Sequence, residues 1–330
     1  MLSSEMENKV TQFVSIYEQI KSELGWGAPN KEIMMLVASM YVSSNQSFHL
    51  RRYITICESI KEQVGFFSTL KGYERYSIAA LLDIHFDNPQ HEFKTLTELY
   101  NKLIENGFQR GMFSYIAASV FLTNKSQFEY QDSSIERAHT IYKAMKQHHF
   151  FLTGQSDYPL AVLLSLRTGN IDSLMMLVES YYEQLHSLGF KKGNDLQFLS
   201  HILSLNCKEE GSKLTHQCMN IFEECNRIGL KLKPRHYPSI GIIALLNDQI
   251  NIDELLELSE NLSSVKAFRW QKDLIFMISV SFLASEFTDT SSITTAGIMT
   301  TVETLIQAQQ ATMVASMATV SASSSTSSDS

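Results

Sequence analysis

The sequence predicts an all-α protein: an array of about seven antiparallel helical hairpins, an α-solenoid or closely related superhelix, over residues 1–285, followed by an Ala/Ser/Thr-rich helix and a loose Ser-rich tail over 286–330. Three observations predict it. A two-helix unit, clearest at YNKLIENGFQRGMFSYIAASVFLT (100–123), recurs along the chain. Its glycine-aromatic stop returns at Gly25-Trp26, Gly65-Phe66, Gly107-Phe108, His149-Phe150, Gly189-Phe190, Gly229-Leu230 and Ala267-Phe268, in steps of 40, 42, 42, 40, 40 and 38 residues. The composition then changes at Glu286, beyond which there is no Lys or Arg. A fixed period of this length built from two helices marks a stacked helical-repeat array, because one hairpin cannot bury both faces of its apolar stripes.

Within the unit, Tyr100, Leu103 and Ile104 lie on one face of a 3.6-residue helix. Gly107 follows the last turn, where a left-handed residue ends a helix and glycine adopts it without steric penalty. Phe108 is expected to fold back as an apolar plug, and Tyr115, Ala118 and Leu122 open the second stripe. The first-helix anchors keep step at Tyr17, Cys57, Tyr100, Tyr142, Tyr182, Phe222 and Leu258. The second helices open with Tyr76, Tyr115, Tyr158, Phe198 and Tyr237, and small residues (Ala79, Ala118, Ala161, Ser200, Gly241) follow, which lets neighbouring helices approach. In the fourth copy His149 replaces the glycine, and histidine is enriched at positive φ among other residues. Ala267 makes the seventh copy atypical, as terminal repeats often are.

In chain order, Thr11–Leu24 is the first helix and Lys31–Val42 the second. Leu50–Val64 with Tyr73–His85 form the second copy, closed by Asp87-Asn88-Pro89, where proline disfavours helix in the residue before it. The remaining copies run over 91–123, 135–166, 171–205, 213–246 and 252–285. Thr294–Val320 reads as one helix of low charge with Ile298, Val302, Leu305 and Ile306 on one side, placed to cap the end of the array. Ser321–Ser330 reads as disordered.

The charge balance excludes some functions. A net charge of −8 argues against a nucleic-acid partner, which needs a basic face. No secretory leader opens the chain, and the longest apolar stretches are too short for a membrane span, so a cytoplasmic location is expected. The four cysteines show no disulfide spacing and read as reduced thiols.

Few residues suggest chemistry. Asp157-Tyr158-Pro159 and His236-Tyr237-Pro238 occupy equivalent points of copies four and six. Proline suits the first turn of a helix, so they mark repeated helix starts. They could also set Asp157, His236 and the Tyr158 and Tyr237 hydroxyls along a groove rim that accepts a peptide. Lys233 and Arg235, with Lys231 and the equivalent Lys191-Lys192, form a basic ridge suited to an acidic or phosphorylated partner. His148-His149 is a conspicuous pair, but adjacent helical residues point about 100° apart. His148 is kept as a binding candidate only. His216, Cys218 and Cys225 resemble metal ligands without a fourth, and read as core residues. No phosphate loop, nucleophile elbow or metalloprotease helix is present, and no cofactor is expected.

The YNKLIENGF segment, the HHFFLTGQSDYPLAVLLSL block, GFKKGNDLQFLSHILSL, the LKLKPRHYPSIGIIALL block and the Ala/Ser-rich tail together resemble an uncharacterised bacterial family, a domain of unknown function (number four thousand and three), found mainly in bacilli and relatives. The resemblance covers nearly the whole chain and implies a bacterial cytosolic protein, with no activity, substrate or catalytic residue. Because stacked hairpins create an extended concave surface, the expectation is a non-catalytic protein- or peptide-binding scaffold. The alternatives are an enzyme with a site assembled across repeats around Asp157, His236 or His148, and a protein that self-associates through its tail.

Overall fold

The computed structural model describes residues 2–124, 131–206, 211–246, 249–287, 304–306 and 308–313. Cys207, the outer parts of the 294–320 helix and the Ser-rich tail lie outside the described residues. Among the described residues there are helices and no strand. They are α1 (Ser4–Leu24), α2 (Lys31–Ser43), α3 (Leu50–Gln63), α4 (Arg75–His85), α5 (Pro89–Glu105), α6 (Met112–Thr123), α7 (Gln131–His148), α8 (Tyr158–Ser165), α9 (Ile171–Ser187), α10 (Asn194–Ser204), α11 (Gly211–Arg227), α12 (Tyr237–Leu245), α13 (Ile252–Ser264) and α14 (Lys272–Ser285). Single turns of 3₁₀ helix precede α8 (Gln155–Asp157) and α12 (Pro234–His236).

The helices pack in consecutive pairs, α1 on α2 through α13 on α14. The pairing is antiparallel. Arg52 at the start of α3 reaches Asp83 and the Phe86 carbonyl at the end of α4, and Arg137 early in α7 donates to the Arg167 carbonyl (2.7 Å) just past α8. Odd-numbered helices are amphipathic and lie outside: α3 buries Tyr53, Ile56, Cys57 and Ile60, one face only. Even-numbered helices are buried over most of their length, and every residue of the apolar α8 and α12 is buried. A helix with no polar face has to be enclosed on all sides, so the even helices form the inner layer. Their small residues permit close approach. A Cβ on Gly241 would meet Leu199 Cδ1 at 2.7 Å and Ile202 Cγ2 at 3.0 Å on α10.

Each inner helix touches the next, from α2 through α14, and α14 then packs on α2. An α-solenoid or closely related superhelix was the expectation, its curvature open; the α14–α2 contact brings the last pair back onto the first. The Phe13 ring on α1 lies 5.2 Å from Phe268 and 5.7 Å from Phe282, and Tyr17 lies 4.9 Å from Phe268. Lys9 donates to the Phe282 carbonyl (3.1 Å) and to Ser285 Oγ (2.7 Å), and Gln271 donates to the Glu32 carboxylate. The first and last pairs carry apolar faces that would otherwise meet water, and each is the partner that buries the other.

The C-terminal segment follows from this. It was expected to cap the end of the array. Thr304–Ile306 and Ala308–Met313 are helical, with Leu305, Ile306, Ala308 and Ala311 buried. Gln310 donates to Ser39 Oγ on α2 (3.0 Å), and Thr304 donates to Asn124 Oδ1 just past α6 (3.3 Å). The segment therefore lies among the inner helices.

In copies two to six the glycine-aromatic stop has two outcomes. At Gly107, Gly189 and Gly229 φ is +99°, +112° and +106°, and the next residue's N–H returns to the carbonyl five positions back: Phe108 to Leu103 (3.1 Å), Phe190 to Leu185 (3.1 Å), Leu230 to Cys225 (2.9 Å). Phe108 and Phe190 are buried in matching surroundings. Phe108 sits 4.7 Å from Tyr158 and Phe190 sits 4.8 Å from Tyr237, both edge-on. At Gly65 and His149 φ is not positive, no such return bond forms, and Phe66 and Phe150 are exposed. The plug and the left-handed histidine expected in these two copies are therefore corrected. Leu70 is buried in the loop of copy two, and Thr153 is buried in the loop of copy four.

Candidate functional site

All seven outer-to-inner loops gather at one end of the molecule, because the pairing is antiparallel throughout. Named bonds link them. The Gln109 N–H donates to the Tyr158 hydroxyl (3.2 Å), Gln155 donates to the Gln109 side chain (2.6 Å), and the Lys191 N–H donates to the Tyr237 hydroxyl (3.1 Å). Both tyrosine hydroxyls thus accept backbone donors from the preceding pair, and both rings are buried. They hold register between pairs and do not line a rim.

A cavity of about 620 Å³ opens at this end, lined from pairs four to seven and by the C-terminal segment. Asp157, Lys233 and Arg235, picked out above, do meet there. His236 lies behind them, with its Nε2 3.4 Å from Asp273 Oδ1, and His148 is not part of the lining. His148 is exposed, 4.0 Å from Glu179, while its neighbour His149 lies 2.9 Å from the same carboxylate. Lys192 pairs with Glu183 (2.9 Å) outside the cavity.

The charged groups are ordered around Asp273. Lys233 Nζ reaches its two oxygens at 3.0 and 3.1 Å, and Arg235 Nη1 reaches it at 2.9 Å. Desolvation would raise the Asp273 carboxyl, but the Lys233 hydrogen bond and the charges of His236, Lys233 and Arg235 hold it below the ordinary value. Burial pushes His236 down to about 4, against the pull of Asp273. Its Nδ1 accepts the Lys233 N–H (3.0 Å), so the neutral ring carries its proton on Nε2, facing Asp273. Burial pushes Asp157 up to about 6, opposed by the Gly154 N–H that donates to Oδ2 (2.8 Å). Asp157 and His236 therefore do one local job: each closes the turn before its helix by accepting the backbone donor three residues back. Desolvation also raises Asp195, with Arg235 opposing.

Among the described residues Arg269 and Lys272 enter no ion pair, and Arg269 lies over the Trp270 ring (4.8 Å). Phe198, Leu274, Met277 and Met313 supply an apolar wall, and Asn194 and Gln309 supply amides. The stretch 269–277 and the C-terminal residues escaped the sequence reading. The signal was the run KAFRWQKD (266–273), in the copy with the least regular repeat. Among the described residues no group of three His, Cys, Asp or Glu side chains is placed to hold a metal ion. Cys218 and Cys225 are buried, and desolvation raises both thiols. No helix among these residues is long and apolar enough to cross a membrane.

The family model described as "Protein of unknown function (DUF4003)" matches residues 16–311. An uncharacterised protein of Bacillus subtilis (strain 168), YeaA, is 35% identical over 330 residues, covering 99% of each chain. No solved structure matches the chain.

Proposed function

We propose a function on the premise that the chain belongs to the family of proteins of unknown function DUF4003, a membership that brings no activity with it. In this reading the seven pairs form a closed ring, and the molecule is a non-catalytic binding module of the bacterial cytosol. Its site is the cavity at the loop end, and its ligand is a short peptide segment with a free carboxylate. The observation that carries the reading is the cavity itself. At about 620 Å³ it lies within the range of small-ligand sites, roughly 300–1,000 Å³. Arg269 and Lys272 offer unpaired cations to a carboxylate. Phe198, Leu274, Met277 and Met313 suit an apolar side chain, and the Asn194 and Gln309 amides suit peptide groups.

Catalysis receives less support. Asp157 and the ring nitrogen of His236 are committed to closing turns, and Asp273 is surrounded by cations. Self-association through the tail also receives less support, because residues 304–306 and 308–313 are largely buried within their own chain. The test is a thermal-shift panel of short peptides with an apolar C-terminal residue, each also in amidated form. Free-acid members should raise Tm, amidation should abolish the rise, and Arg269→Gln with Lys272→Gln should weaken binding about tenfold. A panel without any shift, or one indifferent to amidation, would refute the reading.

A further inference from the structure

The face that carries the outer-to-inner loops has a second property, which shares Arg269 and Trp270 with the cavity lining. Among the described residues, six of the seven exposed large apolar or aromatic side chains lie in these loops: Phe66 (84% exposed), Phe67 (96%), Tyr73, Phe150 (64%), Phe151 (95%) and Trp270 (77%). We propose that this face docks on an anionic lipid bilayer, inserting Phe66-Phe67, Phe150-Phe151 and Trp270 at the headgroup boundary.

The two Phe-Phe tips are built alike. In each, the rings meet edge-on, at 5.2 Å and 88° in one and at 5.3 Å and 89° in the other. Both occur in copies where the residue before the pair is not left-handed and no return bond five positions back forms. Large apolar side chains at loop tips lose solvation free energy in water that a bilayer boundary restores. The tips sit on the second, fourth and seventh pairs. Around a closed array of seven they are two, three and two steps apart, so three anchors seat the whole face at once.

Charge selects the occupant. The loops 25–30, 64–74, 106–111, 149–157, 188–193, 228–236 and 265–271 carry nine Lys or Arg against two Asp or Glu, in a chain whose net charge is −8. The described parts of the links between pairs (44–49, 86–88, 124, 166–170, 205–206, 246 and 249–251) carry one, Arg167, against one, Asp87. An anionic leaflet attracts the loop set, of which Lys192, Lys233 and Arg235 are already paired with Glu183 and Asp273. Cations also flank the tips: Lys146 Nζ is 5.4 Å from the Phe150 ring and the Arg269 guanidinium is 4.8 Å from Trp270. There they can reach headgroups while the rings enter the apolar boundary. A protein partner would favour one contiguous patch with a central hot spot, whereas these anchors are spread around the end of the molecule.

The experiment is flotation of the full chain with phosphatidylcholine–phosphatidylglycerol vesicles and with pure phosphatidylcholine vesicles. The expected result is binding to the anionic vesicles that salt weakens, and little to the neutral ones. Phe66→Ser, Phe67→Ser, Phe150→Ser and Phe151→Ser combined should lower partitioning by about a hundredfold with Tm unchanged, since these side chains support nothing in the fold. Lys191→Gln, Lys192→Gln and Lys231→Gln combined should reduce the salt dependence. A second measurement does not rely on the serine variant. The chain has two tryptophans, so Trp26→Phe leaves Trp270 as the only indole, and its emission should shift to the blue and be quenched by brominated acyl chains. Failure of the natural chain to float with anionic vesicles, equal flotation of the serine variant, or an unquenched Trp270 would overturn the proposal. So would a protein ligand captured through the Phe-Phe tips in the absence of vesicle binding. None of these outcomes depends on the peptide reading of the cavity, which the thermal-shift panel decides separately.

Discussion

Pairs three and five end their outer helices with Gly107-Phe108 and Gly189-Phe190; pairs two and four end theirs with Gly65-Phe66 and His149-Phe150. Nearly the same two residues meet opposite fates. In the first group the chain turns left-handed, the next N–H returns to the helix, and the aromatic ring packs on a tyrosine of the following pair. In the second group the chain continues with negative φ and the ring points into solvent. The difference teaches that a stop motif sets where a helix ends. In pairs two to five the dihedral at the stop goes with the fate of the aromatic ring, whereas in pair seven Phe268 is buried although Ala267 has no positive φ.

The comparison can be broken most forcefully at the rings. Phe108→Ala should cost about 3–5 kcal/mol, since it empties a buried site between Tyr158 and Tyr142. Phe66→Ala should stay within about 0.5 kcal/mol. Urea melts of the two variants check this, and similar losses would erase the distinction. The glycines come next. A side chain at Gly107 meets both a positive φ and the His139 ring, with a Cβ 2.5 Å from His139 Cε1. Gly107→Val should therefore cost about 2–4 kcal/mol. Gly65 has neither constraint, and nothing lies within 4 Å of its Cβ position, so Gly65→Val should be close to neutral.

A smaller effect sharpens a related contrast, between the equivalent turns of pairs four and six. Asp157, with its carboxyl pushed up to about 6 from an ordinary 3.8, favours its neutral form in the fold. Its contribution is fullest at acid pH and is lost as pH rises from 3.8 through 6. His236, pushed down to about 4 from 6.5, also favours its neutral form. Its contribution is full above 6.5 and is lost as pH falls through 4. Asp157→Asn keeps an acceptor for the Gly154 N–H and should stabilise the protein above pH 7 by about 1–3 kcal/mol. His236→Asn should flatten the acid limb of a Tm–pH curve by a similar amount. Parallel slopes for the two variants would show that the turns are not equivalent in this sense.

These contrasts also mark what the sequence makes legible. The paired helices, their period and the Tyr-Pro helix starts follow from local spacing, and local spacing is visible. Asp157, Lys233 and Arg235 belong to repeated loops, so they could be picked out before their shared cavity was known. The doubled phenylalanine at 66-67 and 150-151, absent from 107–109 and 189–191, is the local difference that accompanies an exposed ring. Closure was not legible, because it rests on Lys9, Phe13 and Tyr17 meeting Phe268, Phe282 and Ser285, more than 240 positions away along the chain. The C-terminal contribution to the cavity went with it: Gln309, Thr312 and Met313 have a site to line only once the ends have met.

That closure is tested most directly by a double-mutant cycle between Phe13 and Phe282, whose rings lie 5.7 Å apart at 76°. Phe13→Leu, Phe282→Leu and the double variant, compared in urea melts, should show a coupling of about 0.5–1.5 kcal/mol. A coupling indistinguishable from zero, with additive losses, would place the first and last pairs apart and contradict the closed array.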